Sequence, residues 1–316
     1  MPSKLALIFP GQGSQYLGMG RDLYERYREA RSRFDEADQI LGIDLSRLCF
    51  EGPEQELHDT INTQPAILTM SLAALQSLKS VYDLGEIGFA AGHSLGEYTA
   101  LVAAGRLSFP DALRLVRERG RLMKEAGKRR PGGMAAVLGL AAESVDEACQ
   151  KASEETGAII QVANYNSPEQ IVISGEQRGL ESAIELIRDI GARRVVRLAV
   201  SIASHCPLME SAANGLRQTL ATMVVGEGGV SVVGNVTAKP LRTAQDVREE
   251  ILRQLVSPVQ WVDSVRYMLD HGVTAFVEIG PKDVLTKLLK RLDPTVVRTS
   301  VGDVAEIEAW RRGGGR

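Results

Sequence analysis

The sequence predicts an α/β protein whose largely parallel sheet is interrupted by a smaller antiparallel unit. Two observations point to this. Short apolar runs of strand length alternate with longer helical stretches, the pattern of a parallel sheet covered on both faces. Between residues 134 and 200 that alternation gives way to the order βαββαβ, after which it resumes. The bulk numbers agree with a globular chain: 316 residues, 44% hydrophobic and 24% charged. At about 150 residues per domain that length allows two domains.

The elements follow in order. Residues 4–9 read as a buried strand, stopped by Pro10 and the turn Gly11-Gln12-Gly13-Ser14-Gln15. Helices are expected over 20–41 and 64–82. A second apolar strand, 87–91, runs into Gly92-His93-Ser94-Leu95-Gly96 and a helix through residue 104. The next helix, 110–126, has Pro110 in its first turn, where a missing N–H costs nothing. The basic, glycine-rich stretch Lys128-Arg129-Arg130-Pro131-Gly132-Gly133 reads as a linker. Strands are then predicted over 134–140, 159–164, 170–174 and 194–200, with helices over 143–155 and 178–190. This is the ferredoxin-like pattern, a small subdomain over 131–198 inserted into one discontinuous domain, 1–130 and 199–316. Helices at 207–223 and 244–255 and strands at 230–236 and 275–279 complete the large domain. The Gly/Arg-rich tail, 311–316, is expected to fray.

Several function classes are excluded early. Thirty-seven basic against 40 acidic residues leave a formal charge of −3, the wrong sign for a general nucleic-acid binder. No apolar run approaches the roughly 18 residues of a membrane span, and 5–9 is too short for a secretory core of about 7–15 residues. Cys49, Cys149 and Cys206 form neither a disulfide framework nor a metal pattern. A soluble, reduced, cytoplasmic protein is expected. Gly11 and Gly13 could suggest a dinucleotide loop, but G-x-G-x-x-G would need glycine where Tyr16 stands.

Gly92-His93-Ser94-Leu95-Gly96 matches the nucleophile-elbow pattern G-x-S-x-G, with a strand before it and a helix after it. The chemistry explains the spacing. The serine occupies a strained turn, small neighbours relieve the crowding, and the Leu95 N–H faces a forming oxyanion at the helix N-terminus.

A serine needs a base, and the chain has four histidines. His58 lies in a polar, solvated segment. His93 adjoins Ser94, and the sharp turn should aim the two side chains apart. His271 sits at a helix end, a commonplace position. His205 lies in a loop at a strand end, where catalytic side chains concentrate, and is the candidate base. No aspartate or glutamate stands out as a triad acid, which leaves an amide or a backbone carbonyl to orient the imidazole.

In helix 110–126, Ala112, Val116, Met123 and Ala126 form an apolar stripe flanked by Leu115 and Leu122. Arg114, Arg117, Glu118, Arg121, Lys124 and Glu125 lie opposite. Arg119 breaks the pattern by pointing along the middle of the stripe. A guanidinium there needs an anion. It is either an internal buried carboxylate or the carboxylate of a substrate held by the planar fork.

Further stretches complete a pattern: Asn62-Thr63-Gln64-Pro65-Ala66, Ser204-His205, Gln254 through Pro258-Val259-Gln260-Trp261, and Val277-Glu278-Ile279-Gly280-Pro281. With Phe9-Pro10-Gly11-Gln12-Gly13-Ser14-Gln15 and Gly92 to Tyr98, their joint order over 4–292 resembles the malonyl-CoA:acyl carrier protein transacylase family. The resemblance implies an α/β-hydrolase-like large domain with an inserted ferredoxin-like subdomain. It implies Ser94 as the acylated nucleophile, His205 as base, and Gln254 helping to set the histidine. Gln12 and Leu95 would supply the oxyanion-hole N–H groups, and Arg119 would hold the malonyl carboxylate.

The implied activity is ping-pong transfer of malonyl from malonyl-CoA to the phosphopantetheine thiol of acyl carrier protein, for fatty-acid synthesis. Malonyl-CoA is substrate, and no further cofactor and no metal is expected. Neither nucleic acid nor membrane is an expected partner, and a monomer is expected. The alternatives are a trans-acting polyketide malonyl/methylmalonyl acyltransferase, a serine thioesterase or hydrolase, and a vestigial binding module. In the family Leu95 accompanies malonyl selectivity. Ser204, where many malonyl-selective members have phenylalanine, leaves room for a 2-methyl group, so malonyl preference with some methylmalonyl leakage is expected. Lys128-Arg129-Arg130 and Arg193-Arg194 are candidate docking groups for the acidic carrier, unless they are simply solvated charge.

Overall fold

The computed structural model describes residues 4–200 and 202–314. The chain opens with strand β1 (Lys4–Phe9), then helices α1 (Arg21–Arg26), α2 (Arg28–Leu41), α3 (Leu45–Glu51), α4 (Glu54–Leu57) and α5 (Thr60–Val81). Strand β2 (Ile87–Gly92) leads into α6 (Leu95–Ala103) and α7 (Phe109–Arg129). The middle comprises β3 (Gly132–Leu138), α8 (Ala142–Thr156), β4 (Ile160–Ser167), β5 (Gln170–Glu176), α9 (Gln177–Asp189) and β6 (Arg194–Arg197). A 3-10 turn (Pro207–Met209) precedes α10 (Glu210–Ala221), β7 (Ser231–Val233), α11 (Ala244–Gln254) and α12 (Trp261–Asp270). Strand β8 (Val273–Ile279), α13 (Val284–Leu292), β9 (Val297–Val301) and α14 (Val304–Ala309) close the chain.

Two sheets organise these elements. One is parallel, in the order β7-β2-β1-β8-β9, and the other is antiparallel, in the order β4-β5-β3-β6. The fold is therefore mixed α/β with a parallel sheet and a separate antiparallel sheet drawn from consecutive strands. In β1 the run Ala6–Phe9 is wholly buried, as a central parallel strand requires. Its alternation feeds two cores. Leu7 and Phe9 pack with α2, α5, α6 and α7 residues, and Ala6 and Ile8 pack with Trp261, Val265 and Leu285 from α12 and α13. A third core joins β3, β4 and β5 to α8 and α9 through Val137, Val162, Ile173, Val145 and Ile184.

Several expected boundaries change. The helix expected over 20–41 is two helices, because Tyr27 adopts an extended backbone (φ −116°, ψ 129°) that turns its ring inward. The expected linker shrinks to Arg130 and Pro131, since α7 runs to Arg129 and β3 begins at Gly132. The strand expected over 230–236 pairs only at Ser231–Val233, and that expected over 194–200 only at Arg194–Arg197. In the tail, Trp310–Gly314 forms a further helical turn, and residues 315–316 lie outside the described residues. Among the described residues no helix is long and apolar enough to cross a membrane.

Candidate active site

Register between β1 and β2 starts the site. Phe9 pairs with Gly92, so the turn after β1 and the turn after β2 emerge side by side at the carboxyl ends of the parallel strands. The His93 N–H donates to the Phe9 carbonyl at 3.0 Å. Ser94 is forced into φ 51°, ψ −104°, a conformation that non-glycine residues rarely adopt. The glycines around it are sterically required. A Cβ on Gly92 would overlap the Gly96 backbone, one on Gly96 would overlap the Phe9 carbonyl, and one on Gly11 would overlap the His93 carbonyl.

Asn235, two residues past β7, holds this strained turn from three sides. Its Oδ1 accepts from the Ser94 N–H at 2.7 Å and its Nδ2 donates to the Gly92 carbonyl at 2.7 Å. Its own N–H donates to Glu97 Oε2 at 2.7 Å. Nothing in the residue spacing pointed to Asn235. Only the run Gly234-Asn235-Val236, directly after an apolar strand, could have hinted at a turn with a purpose.

Ser94 Oγ lies 2.8 Å from His205 Nε2. His205 is 4% exposed and itself strained, at φ 61°. Its Nδ1 lies 2.7 Å from the main-chain carbonyl of Gln254, so a backbone oxygen occupies the place of a triad acid. That contact favours the tautomer with the proton on Nδ1, leaving Nε2 free to accept from the serine. Burial chiefly, then the Arg119 charge, push the His205 pKa down to about 3, with His93 adding to the depression and the Gln254 carbonyl opposing it. The imidazole is therefore neutral at neutral pH.

The Gln254 side chain does something separate. Its Nε2 donates to the Ser94 carbonyl at 3.0 Å, and its Oε1 accepts from Arg119 Nη2 at 3.0 Å. Arg119 Nη2 also donates to Ser94 Oγ at 3.1 Å, and Nη1 donates to Gln64 Oε1 at 2.8 Å. The guanidinium is 1% exposed and lies over the Tyr98 ring, 5.4 Å from its centroid. Among the described residues no carboxylate comes within 4.0 Å of it. Of the two anions open to Arg119, the internal one is missing. The nearby buried Glu97 is held well above the usual carboxylate range, by burial first and then by the Glu250 carboxyl, which favours its neutral form.

A cavity of about 550 Å³ opens beside these groups, lined by Gln12, Ser94, Arg119 and His205 from the parallel-sheet side. Met134, Asn164 and Leu198 line it from the antiparallel-sheet side, and Ser204 from the loop between. The two sides are joined at β4, where the Tyr165 N–H donates to Val259 O at 3.0 Å and Gln161 Nε2 to His205 O at 2.9 Å. His93, set aside as a base, turns away from the serine, and its Nε2 meets Asn166 Oδ1 at 2.7 Å. Gln12, in the turn after β1, lines the cavity. Leu95 is the first residue of α6, where N–H groups lack intrahelical partners. His58 lines the cavity mouth with Lys124 and Asp59, which form an ion pair. His271 caps α12 and stacks on Tyr267, far from this chemistry in role.

The two basic groups do not form one patch. Arg130 adjoins the Gly132 end of β3 and pairs with Glu176 at 3.1 Å. Arg194 pairs in register with Leu138 at the other end of that strand, about 20 Å away at 3.3 Å per residue. Arg193 there pairs with Glu169 at 3.6 Å.

The acyl transferase domain family matches residues 6–310. The malonyl CoA-acyl carrier protein transacylase of Bacillus subtilis is 45% identical over 306 residues, covering 97% of this chain and 96% of that protein. A solved complex of a type II PKS acyl-carrier protein with its malonyl-transacylase matches at TM-score 0.94 and 41% identity, covering 98% of this chain and 100% of that one. The MCAT structure from Streptococcus pneumoniae matches at TM-score 0.93 and 41% identity, over 98% and 100% of the two chains.

Proposed function

The chain belongs to the malonyl CoA-acyl carrier protein transacylase family, and from that premise we propose that it moves malonyl from malonyl-CoA to an acyl carrier protein through a serine acyl-enzyme. One observation carries the choice of acyl group: a buried guanidinium 3.1 Å from Ser94 Oγ, with no carboxylate of the described residues within 4.0 Å of it. An unpaired buried charge is costly, and a substrate carboxylate supplies the missing partner bidentately.

In the proposed cycle His205 Nε2 takes the Ser94 proton as Oγ attacks the thioester carbonyl. The oxyanion is held by the N–H groups of Gln12 and Leu95. The imidazolium returns its proton to the departing CoA sulfur, leaving malonyl-Ser94. The phosphopantetheine thiol of the carrier then attacks, giving its proton to His205, and the serine is regenerated. Gln254 acts twice, its main chain orienting His205 and its side chain bracing the Ser94 carbonyl and Arg119. Exchange of one thioester for another conserves oxidation state, so the reading calls for no cofactor beyond malonyl-CoA as substrate.

The finer architectural reading is an α/β-hydrolase-like large domain, 1–130 and 199–316, with a ferredoxin-like insert, 131–198. It is supported by the βαββαβ order of the insert and by an elbow after a parallel strand. A cytoplasmic enzyme serving fatty-acid synthesis fits this reading. Ser204 on the cavity wall favours malonyl with some methylmalonyl leakage, and Lys128 and Arg129, at the end of α7, are the favoured carrier-docking charges.

Incubation with malonyl-CoA alone should leave a malonyl adduct on Ser94, visible by intact mass and absent from Ser94→Ala. An adduct that survives in Ser94→Ala would remove the serine from the mechanism. Release of free malonate at a rate indifferent to carrier protein would favour a hydrolase instead.

A further inference from the structure

The Asn62-Thr63-Gln64-Pro65-Ala66 stretch has no role in the cycle above, yet it lies against its most unusual charge. Gln64 is fully buried on α5, and its Oε1 accepts from Arg119 Nη1 at 2.8 Å. Its orientation is fixed by chemistry. Guanidinium is donor-only, so the amide oxygen must face it and the amide nitrogen must face away. That nitrogen donates to Thr60 Oγ1 at 2.9 Å, and the Thr60 hydroxyl in turn donates to Gln12 Oε1 at 2.9 Å. A second helix delivers the arginine. Gly120, next to Arg119 on α7, lies where a Cβ would come within 2.6 Å of the Thr60 carbonyl and 2.9 Å of Ile61 Cα. The missing side chain lets α7 press against α5 at the turn that carries Gln64, which explains a glycine, a poor helix former, inside a helix.

We propose that Gln64 is a specificity-determining residue: its neutral amide oxygen holds the Arg119 guanidinium in place without neutralising it, so that the charge is reserved for the carboxylate of the acyl group. This rests on the reading of Arg119 as the carboxylate clamp. The other amide on the guanidinium, Gln254 Oε1, is neutral as well. A glutamate at 64 would have the same size and reach, would make the stronger charge-assisted bond, and would be an internal counterion. The clamp would then be occupied before substrate arrives. Dicarboxylic acyl groups would lose their partner, and neutral acyl groups, which never used it, would not.

The test compares Gln64→Glu with Gln64→Leu in the full-length chain, measuring kcat/KM for transfer from malonyl-CoA and from acetyl-CoA to carrier protein. In Gln64→Glu, malonyl transfer should fall about 100-fold while acetyl transfer changes by about 3-fold or less, collapsing the selectivity ratio. In Gln64→Leu the charge survives, so malonyl transfer should fall by far less than in Gln64→Glu, again with acetyl transfer changed by about 3-fold or less. Equal losses on both substrates in Gln64→Glu, or an unchanged ratio, would overturn the proposal, since a merely structural role lowers both alike. Gln64→Asp against Gln64→Asn repeats the charge comparison with shorter side chains should Gln64→Glu not fold. Arg119→Ala separates the two levels of the argument. An unchanged ratio there overturns the clamp and this proposal with it. A ratio that collapses in Arg119→Ala but survives in Gln64→Glu overturns only the role of Gln64.

Discussion

The Ser94 elbow and the Arg119 clamp lie within one hydrogen bond of each other, yet they are built on opposite plans. At the elbow the backbone groups on either side of the Ser94 side chain are met: Asn235 takes the Ser94 N–H and gives to the Gly92 carbonyl, and Gln254 gives to the Ser94 carbonyl. At the clamp the guanidinium is hydrogen-bonded to the amides of Gln64 and Gln254 and to the Ser94 hydroxyl, and among the described residues no carboxylate lies within 4.0 Å of it. In the proposed cycle the first region keeps the nucleophile in place and the second waits for a substrate carboxylate. That reading makes placement of the reacting oxygen and choice of the acyl group separable properties of adjacent residues.

Among changes outside the clamp, breaking the elbow should have the largest effect. In Asn235→Ala the Ser94 N–H and the Gly92 carbonyl lose their partners, at about 1–3 kcal/mol for each buried group left unpaired. A nucleophile displaced by about 1 Å should cost about 100-fold in kcat. Malonyl and acetyl transfer should fall by the same factor. A changed malonyl-to-acetyl ratio in this variant would show that the two regions are not separable.

The electrostatic link between them gives a smaller, pH-dependent effect. As the proposed base, the His205 imidazole must be neutral, and its depressed pKa keeps it so well below the ordinary histidine value of about 6.5. The acid limb of kcat/KM for acetyl transfer should accordingly lie below pH 6.5. Arg119→Met removes a positive charge that disfavours the imidazolium, so the histidine pKa should rise and the limb should move to higher pH. A limb that stays put or moves lower would contradict the assigned cause.

Smallest is the surface term. Reversing Lys128 and Arg129 to glutamate should raise the carrier-protein KM about three- to tenfold, leave the malonyl-CoA KM alone, and fade in high salt. Reversal of Arg194, at the far end of β3, should do little. Equal effects from both sites would argue for diffuse charge attraction rather than docking beside α7.

The same contrast explains what was legible in the sequence. The elbow announces itself because steric demands are local: Gly92 and Gly96 must be small, and the pattern shows it. Arg119 was legible as a break in a clean helical stripe, since α7 is strongly amphipathic. His205 emerged by elimination among four histidines. Gln64 stands out in the sequence only as part of a motif, because α5 is buried nearly all round, with Thr63, Thr69 and Ser71 also inside, so one more polar residue breaks no pattern. Asn235 depends on convergence of three segments and leaves no spacing to read. The same limit applies to the fold. The alternation of strands and helices marked the two sheets, whereas α3, α4 and β9, short and weakly patterned, take their form from packing. The two basic groups looked like a pair at the junctions of the insert, and only strand register reveals that they sit at opposite ends of it.

In the proposed cycle the charge at Arg119 selects the acyl group, and the most direct measurement of that is the ratio of kcat/KM for malonyl and acetyl transfer in Arg119→Ala relative to the unmodified chain. Malonyl transfer should fall about 100- to 1,000-fold while acetyl transfer changes by only a few-fold. Equal losses for the two acyl groups would contradict it.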